Sequence, residues 1–121
     1  MANMTTVEIK AFLPAKEFEL SKRFYVDLGF TIASSSDELA YLHAGNCSFL
    51  LSKFYQQEFA DNLMMHLQVE DVESWWQHVE AQQLTKRYAV RAAPPEDLPW
   101  RIRDFTINDP SGVLWRIGQN I

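Results

Sequence analysis

"LPAKEFELSKRFYVDLGF" (residues 13–30) and "LQVEDVESWWQHVEAQQL" (residues 67–84) align without gaps at an offset of 54 residues, 67 minus 13. Few positions are identical. The match is one of order: a strand end, an acidic helix start, then a helix. In the first copy Leu20, Phe24 and Leu28 recur every four residues with Tyr25 beside them, forming one apolar stripe. Glu17 and Glu19 suit the positive end of the helix dipole, and Gly29 suits the position just past the helix. In the second copy Asp71 can cap the helix, and Val72, Trp75, Trp76 and Val79 follow i, i+3, i+4, i+7 spacing. The spacing predicts helices over 17–28 and 71–83.

Strand signals surround each helix. "TVEIKAFL" (6–13) alternates, with Val7, Ile9 and Ala11 on one face and Glu8, Lys10 and Phe12 on the other. It reads as a strand whose Val7 face covers a core, ended by Pro14. "FTIAS" (30–34), "LAYLH" (39–43) and "CSFLLS" (47–52) are short strands separated by turn residues at 34–37 and 45–46. "KFYQQEFADN" (53–62) reads as a loop and "LMMHLQV" (63–69) as a strand. "KRYAVRA" (86–92) reads as a strand, and "APPEDLP" (93–99) as a loop, since prolines break regular structure. "RIRDFTIN" (101–108) and "VLWRIG" (113–118) are the last strands, joined by the Asp109–Gly112 turn.

Strand, helix, three strands therefore occurs twice. The expected fold is α+β. Two βαβββ half-modules, about 5–53 and 62–119, form one domain over 1–121. They build a curved mixed sheet with helices outside and an inner cleft.

The bulk numbers fit that size. A chain of 121 residues buries roughly two-thirds of its unfolded surface, enough for one core without staples. Cys47 is the single cysteine, so no intrachain disulfide forms; it reads as a small buried residue. A net charge of −5 argues against a nucleic-acid binder, which needs a basic face. It is compatible with a cationic ligand. "MANMTTVEIK" lacks the apolar core of a signal peptide, and no apolar run approaches the roughly 20 residues of a membrane span. These features predict a soluble cytoplasmic protein with no membrane partner.

"EFELSKRFYVDLGF", the paired βαβββ layout and the closing "NDPSGVLWRIGQN" together resemble the vicinal oxygen chelate superfamily. It includes glyoxalase I, extradiol dioxygenases, fosfomycin-resistance enzymes and bleomycin-resistance proteins. The resemblance covers nearly the whole chain, but fold does not set function. It implies four strand positions for a divalent metal, filled in the enzymes by His, Glu or Gln. Here they fall on Lys10, on Phe49 or Leu50, on Met64 and on Arg116. None suits such an ion. Arginine stays protonated, lysine rarely ligates, Phe and Leu have no donor atom, and a lone thioether is soft. His66, two residues past Met64, would be a ligand only in a shifted register. His43 and His78 do not complete a set, because His78 lies on the second helix.

The resemblance is closer to the non-metal bleomycin-resistance branch, through "LPAKEFELSKRFY", "LGF", Trp100 and "DPSGVLWRIGQN". It implies a homodimer that sequesters a drug-like molecule in grooves between subunits, with no cofactor and no catalysis. The expected function is a non-catalytic binder of a small, aromatic or antibiotic-like molecule. The alternative is a metal-dependent lyase or dioxygenase with shifted ligands including His66.

Strand parity assigns the candidate ligand face to Lys10, Phe12, Met64, His66, Gln68, Asp104 and Arg116, with Glu8, Thr106 and Leu114 beside them. Trp100 either folds over a groove or anchors its loop. Trp75, Trp76 and Trp115 read as core. For Lys10 and Arg116 the default is an ion pair with Glu8 or Asp104; the functional reading is a clamp for an anionic ligand.

Overall fold

A computed structural model describes residues 2–121. In chain order the elements are β1 (Phe12–Pro14), α1 (Phe18–Leu28), β2 (Thr31–Ser35), β3 (Leu39–Ala44), β4 (Cys47–Ser52) and α2 (Gln57–Asn62). Then follow β5 (Met64–Gln68), α3 (Val72–Ala81), α4 (Leu84–Tyr88), β6 (Ala92–Leu98), β7 (Ile102–Asn108) and β8 (Leu114–Asn120). No helix among the described residues is long and apolar enough to cross a membrane.

The two repeat helices form where their stripes place them. α1 buries Phe24, Tyr25 and Leu28 of the stripe, and Phe18 and Ser21 as well. Gly29 ends it at φ 134°, a conformation that side chains rarely adopt. α3 starts at Asp71, whose carboxylate accepts from the Ser74 amide. It buries Val72 and Val79 and packs Trp75 and Trp76 partly against the core.

Each half makes one four-stranded mixed sheet with the same order, β1-β4-β3-β2 and β5-β8-β7-β6. In both, the first strand pairs in parallel with the last, and the other pairs are antiparallel. The architecture is the expected α+β pair of βαβββ modules, curved but not closed. Alternation then decides which face is covered. Leu13, Ala40, Leu42, Phe49 and Leu51 are buried from the first sheet, and Leu67, Phe105, Ile107, Trp115 and Ile117 from the second. The two buried faces meet. Phe49 and Trp115 have ring centroids 5.4 Å apart, edge to face, with Tyr25 against both. The opposite, open face of each sheet therefore points away from the shared core.

Several segments differ from expectation, each for a local reason. The predicted strand 6–13 shrinks to β1. Val7 and Ile9 are 96% and 94% exposed, not core, because residues 2–10 lie outside the sheet and nothing covers those two side chains. Residues 53–62 are not wholly loop: α2 forms there and buries Ala60. Residues 86–91 are not a strand, and only Ala92 of the expected 86–92 is, as the start of β6. Leu84 is buried and Tyr88, one turn later, packs on the core, so helix α4 wins over the local alternation. Gln83, left-handed at φ 51°, separates α4 from α3. The proline-rich stretch 93–99 is mostly strand β6, not loop. β6 is an edge strand, and a register shift between Ala93 and Glu96 absorbs Pro94 and Pro95. Cys47 is exposed rather than buried, at the end of β4 that leaves the Gly45-Asn46 turn.

Candidate functional site

The open face of the second sheet assembles five of the predicted residues by register. One row across β5, β8 and β7 is His66, Arg116 and Thr106; the next is Gln68, Gly118 and Asp104. Met64 and Leu114 head the preceding row. Arg116 thus stands between two polar neighbours, with Trp115 and Ile117 turned to the core as their 2% and 0% exposure shows.

Asp104 is 4% exposed and is the anchor of this face. Its carboxylate accepts from Arg116 Nη1 at 3.1 and 3.4 Å, on the diagonal between neighbouring strands. Gly118, directly opposite Asp104, makes the arrangement possible. A Cβ there would lie 2.7 Å from Asp104 Cβ and 3.0 Å from the Arg103 carbonyl oxygen. Glu96 faces Asp104 from β6. The β6 bulge brings Pro94 and Pro95 over these groups to wall a cavity of about 400 Å³ that includes Asp104, Thr106 and Arg116.

Lys10 and Phe12 lie with the open face of the first sheet. Glu8 accepts from Lys10 Nζ at 2.9 Å, from Tyr41 Oη at 2.8 Å and from Ser48 Oγ. These donors, Ser48 foremost and then Lys10 and Tyr41, hold the Glu8 carboxyl down at about 2. Lys10 Nζ sits 5.1 Å from the centre of the Tyr41 ring. Phe12, on β1, is 58% exposed. Within one chain the predicted residues divide between two faces rather than surrounding one space.

Trp100 is 65% exposed on the β6–β7 turn, where Arg101 is left-handed at φ 63°. His78 is on α3 and its Nε2 lies 2.6 Å from the Asp27 carbonyl oxygen, away from either open face. Among the described residues no group of three or more His, Cys, Asp or Glu is placed to hold a metal ion.

Sequence reasoning missed Glu96, Tyr41, Ser48 and Gly118. Glu96 has no readable parity in a stretch taken for loop. A glycine inside a strand pattern signals close approach, and Gly118 carried that signal.

The glyoxalase/bleomycin resistance protein/dioxygenase superfamily model matches residues 6–117. The chain belongs to this superfamily. No curated protein matches it by sequence. Among solved structures, a bleomycin-binding protein complexed with bleomycin is similar at TM-score 0.80 and 23% identity, over 96% of this chain and 100% of that one. A bleomycin resistance determinant encoded on the transposon Tn5 is similar at TM-score 0.76 and 22% identity, covering 95% and 98%. TnmS3, an antibiotic binding protein from Streptomyces sp. CB03234, is similar at TM-score 0.76 and 20% identity, covering 98% and 100%. At these identities the likeness establishes the fold.

Proposed function

We propose that this member of the superfamily is a non-catalytic binder that sequesters a flat, partly aromatic, antibiotic-like molecule between two copies of the chain. The carrying observation is the open face of the second sheet, where Asp104 holds Arg116 between His66 and Thr106. Arg116 cannot ligate a metal, and it orients hydrogen-bond donors toward a ligand. Met64, 55% exposed in the preceding row, supplies a soft apolar surface for a ring system. Lys10, Phe12, Gln68 and Trp100 complete the contact set when a second copy brings the first sheet of one chain to the second sheet of the other. The dimer reading draws support from the N-terminal arm. Val7 and Ile9 alternate like a strand yet are almost fully exposed, and a second chain would cover them. The bleomycin-binding and antibiotic-binding neighbours support the choice of ligand class.

A thermal-shift screen of aromatic antibiotics, run beside analytical ultracentrifugation, tests this. The expected result is a dimer at micromolar concentration and a saturable rise in melting temperature for at least one compound, lost in Arg116→Met. A monomer throughout, or a panel with no shift, would overturn it.

A further inference from the structure

We propose that the groove at the junction of the two half-modules is a second binding site, one that takes a small flat aromatic cation. The groove holds about 570 Å³ and is lined from both halves, by Thr31 and His43 on one side and by Gln68, Glu70 and Trp75 on the other. A smaller cavity of about 230 Å³ shares Gly29, Ser74 and Trp75 with it and continues along α3 to His78. Small-molecule sites commonly have this size and this position, between packed modules.

Three features specify the ligand. The first is Trp75, half-buried, whose ring rests against Gly29. A Cβ at residue 29 would lie 3.3 Å from Trp75 Cζ3, so glycine lets the chain pack this close to the ring that lines the groove. An indole in a cavity wall is a platform for a flat ring and attracts a cation to its face. The second is Glu70, which is exposed and has no hydrogen-bond or ion-pair partner among the described residues. Its neighbour Asp71 is committed instead to Ser74, accepting from its amide and hydroxyl at 3.3 and 2.7 Å. A free carboxylate lining the same groove as an indole favours a cation and disfavours an anion. The third is the cross-strand pair Thr31 and His43, which gives the far wall side chains for hydrogen bonding. None of these features depends on Asp104 or Arg116, and of the residues assigned to the larger ligand the groove shares only Gln68.

The probe is the benzamidinium ion, titrated into the full chain and followed by the indole N–H resonance of Trp75. The expected result is saturable binding, weakened about fivefold in Glu70→Gln, the effect of one exposed charge contact. The uncharged analogue benzamide should bind more weakly, and Trp75→Leu, followed by the backbone amide resonance of Glu70 instead, should lose saturable binding. If Trp75→Leu does not fold, Glu70→Gln decides. Asp104→Asn separates the two sites, because it removes the buried carboxylate that anchors Arg116 on the open face and leaves that of the groove. No saturable binding at millimolar benzamidinium would overturn the proposal. So would an affinity unchanged in Glu70→Gln, or one lost in Asp104→Asn and kept in Glu70→Gln.

Discussion

Tyr25 donates a hydrogen bond of 2.5 Å to Asp109, 84 residues later in the chain, and both side chains are buried. The same hydroxyl accepts from Trp115 Nε1 at 2.9 Å. The other carboxylate oxygen of Asp109 accepts from the Ser111 and Val113 amides, each at 2.9 Å, and so shapes the turn before β8. One tyrosine on the first helix thus braces the turn and the last strand of the second half. Burial pushes the Asp109 carboxyl above its usual range despite these donors. Removing the hydroxyl leaves a buried carboxylate and a buried indole N–H each short of a partner. Tyr25→Phe should cost about 1–3 kcal/mol, read as a lower urea midpoint with an unchanged slope.

Alkaline pH should act through the same residue. Burial first, then the Asp109 charge, pushes the Tyr25 hydroxyl well above its usual value. Its folded pKa is raised, so its contribution is whole below the unfolded value near 10 and is lost as pH rises beyond it. Above that point the slope from this group approaches about 1.4 kcal/mol per pH unit. Urea midpoints measured from pH 9 upward should fall more steeply for the native chain than for Tyr25→Phe. Parallel curves would remove Tyr25 as the cause.

Asp104 and Arg116 should behave as a coupled pair. Arg116→Met leaves a carboxylate that is only 4% exposed without its cation, at a cost of about 1–3 kcal/mol. Adding Asp104→Asn should recover part of that loss, because the stranded charge is gone. A double-mutant cycle by chemical denaturation measures it, and simple additivity would show that the pair is not coupled.

Gly118→Ala tests the space under Asp104. The added methyl lies 2.7 Å from Asp104 Cβ, so one of the two strands must shift. The expected cost is about 1–3 kcal/mol, together with displacement of the Arg116 side chain from Asp104. A crystal structure of the variant with the 3.1 Å contact intact would contradict this.

The N-terminal arm should loosen in acid. The Glu8 carboxyl is held down to about 2 from a usual 4.5 by Ser48, Lys10 and Tyr41. A depressed carboxyl stabilises above its unfolded value and loses that effect as pH falls, here between 4.5 and about 2. Backbone order parameters at Val7–Lys10, measured by NMR relaxation, should fall through that window. In Glu8→Gln they should already be low at neutral pH.

How much was legible follows the range of each interaction. The two repeat helices were readable because successive stripe residues lie one turn apart and each cap lies next to the turn it closes. The parity of "VLWRIG" placed Trp115 and Ile117 in the core and Arg116 on the other face, and that held. "KRYAVRA" misled because three alternating residues, Tyr88, Val90 and Ala92, are too few to fix the period, and burial of Leu84 and Tyr88 decided for helix. "APPEDLP" misled because proline excludes a central strand but not a bulged edge strand. "TVEIKAFL" alternates as a strand should, yet alternation states only that one side is apolar and not that anything lies against it.

By itself the sequence determined the two repeat helices, the repeated order of a strand, a helix and three strands, and the side to which residues of β5, β7 and β8 turn. These depend on periodicity and turn residues, which act over a few positions. Only the tertiary structure decided that the two buried faces share one core, so that the open faces look outward. It also decided that Glu8 takes Lys10 while Asp104 takes Arg116. The shared core rests on contacts between segments tens of residues apart, such as Phe49 against Trp115, and the two ion pairs, 2 and 12 residues apart in the chain, on which of several compatible partners the folded strands bring within reach.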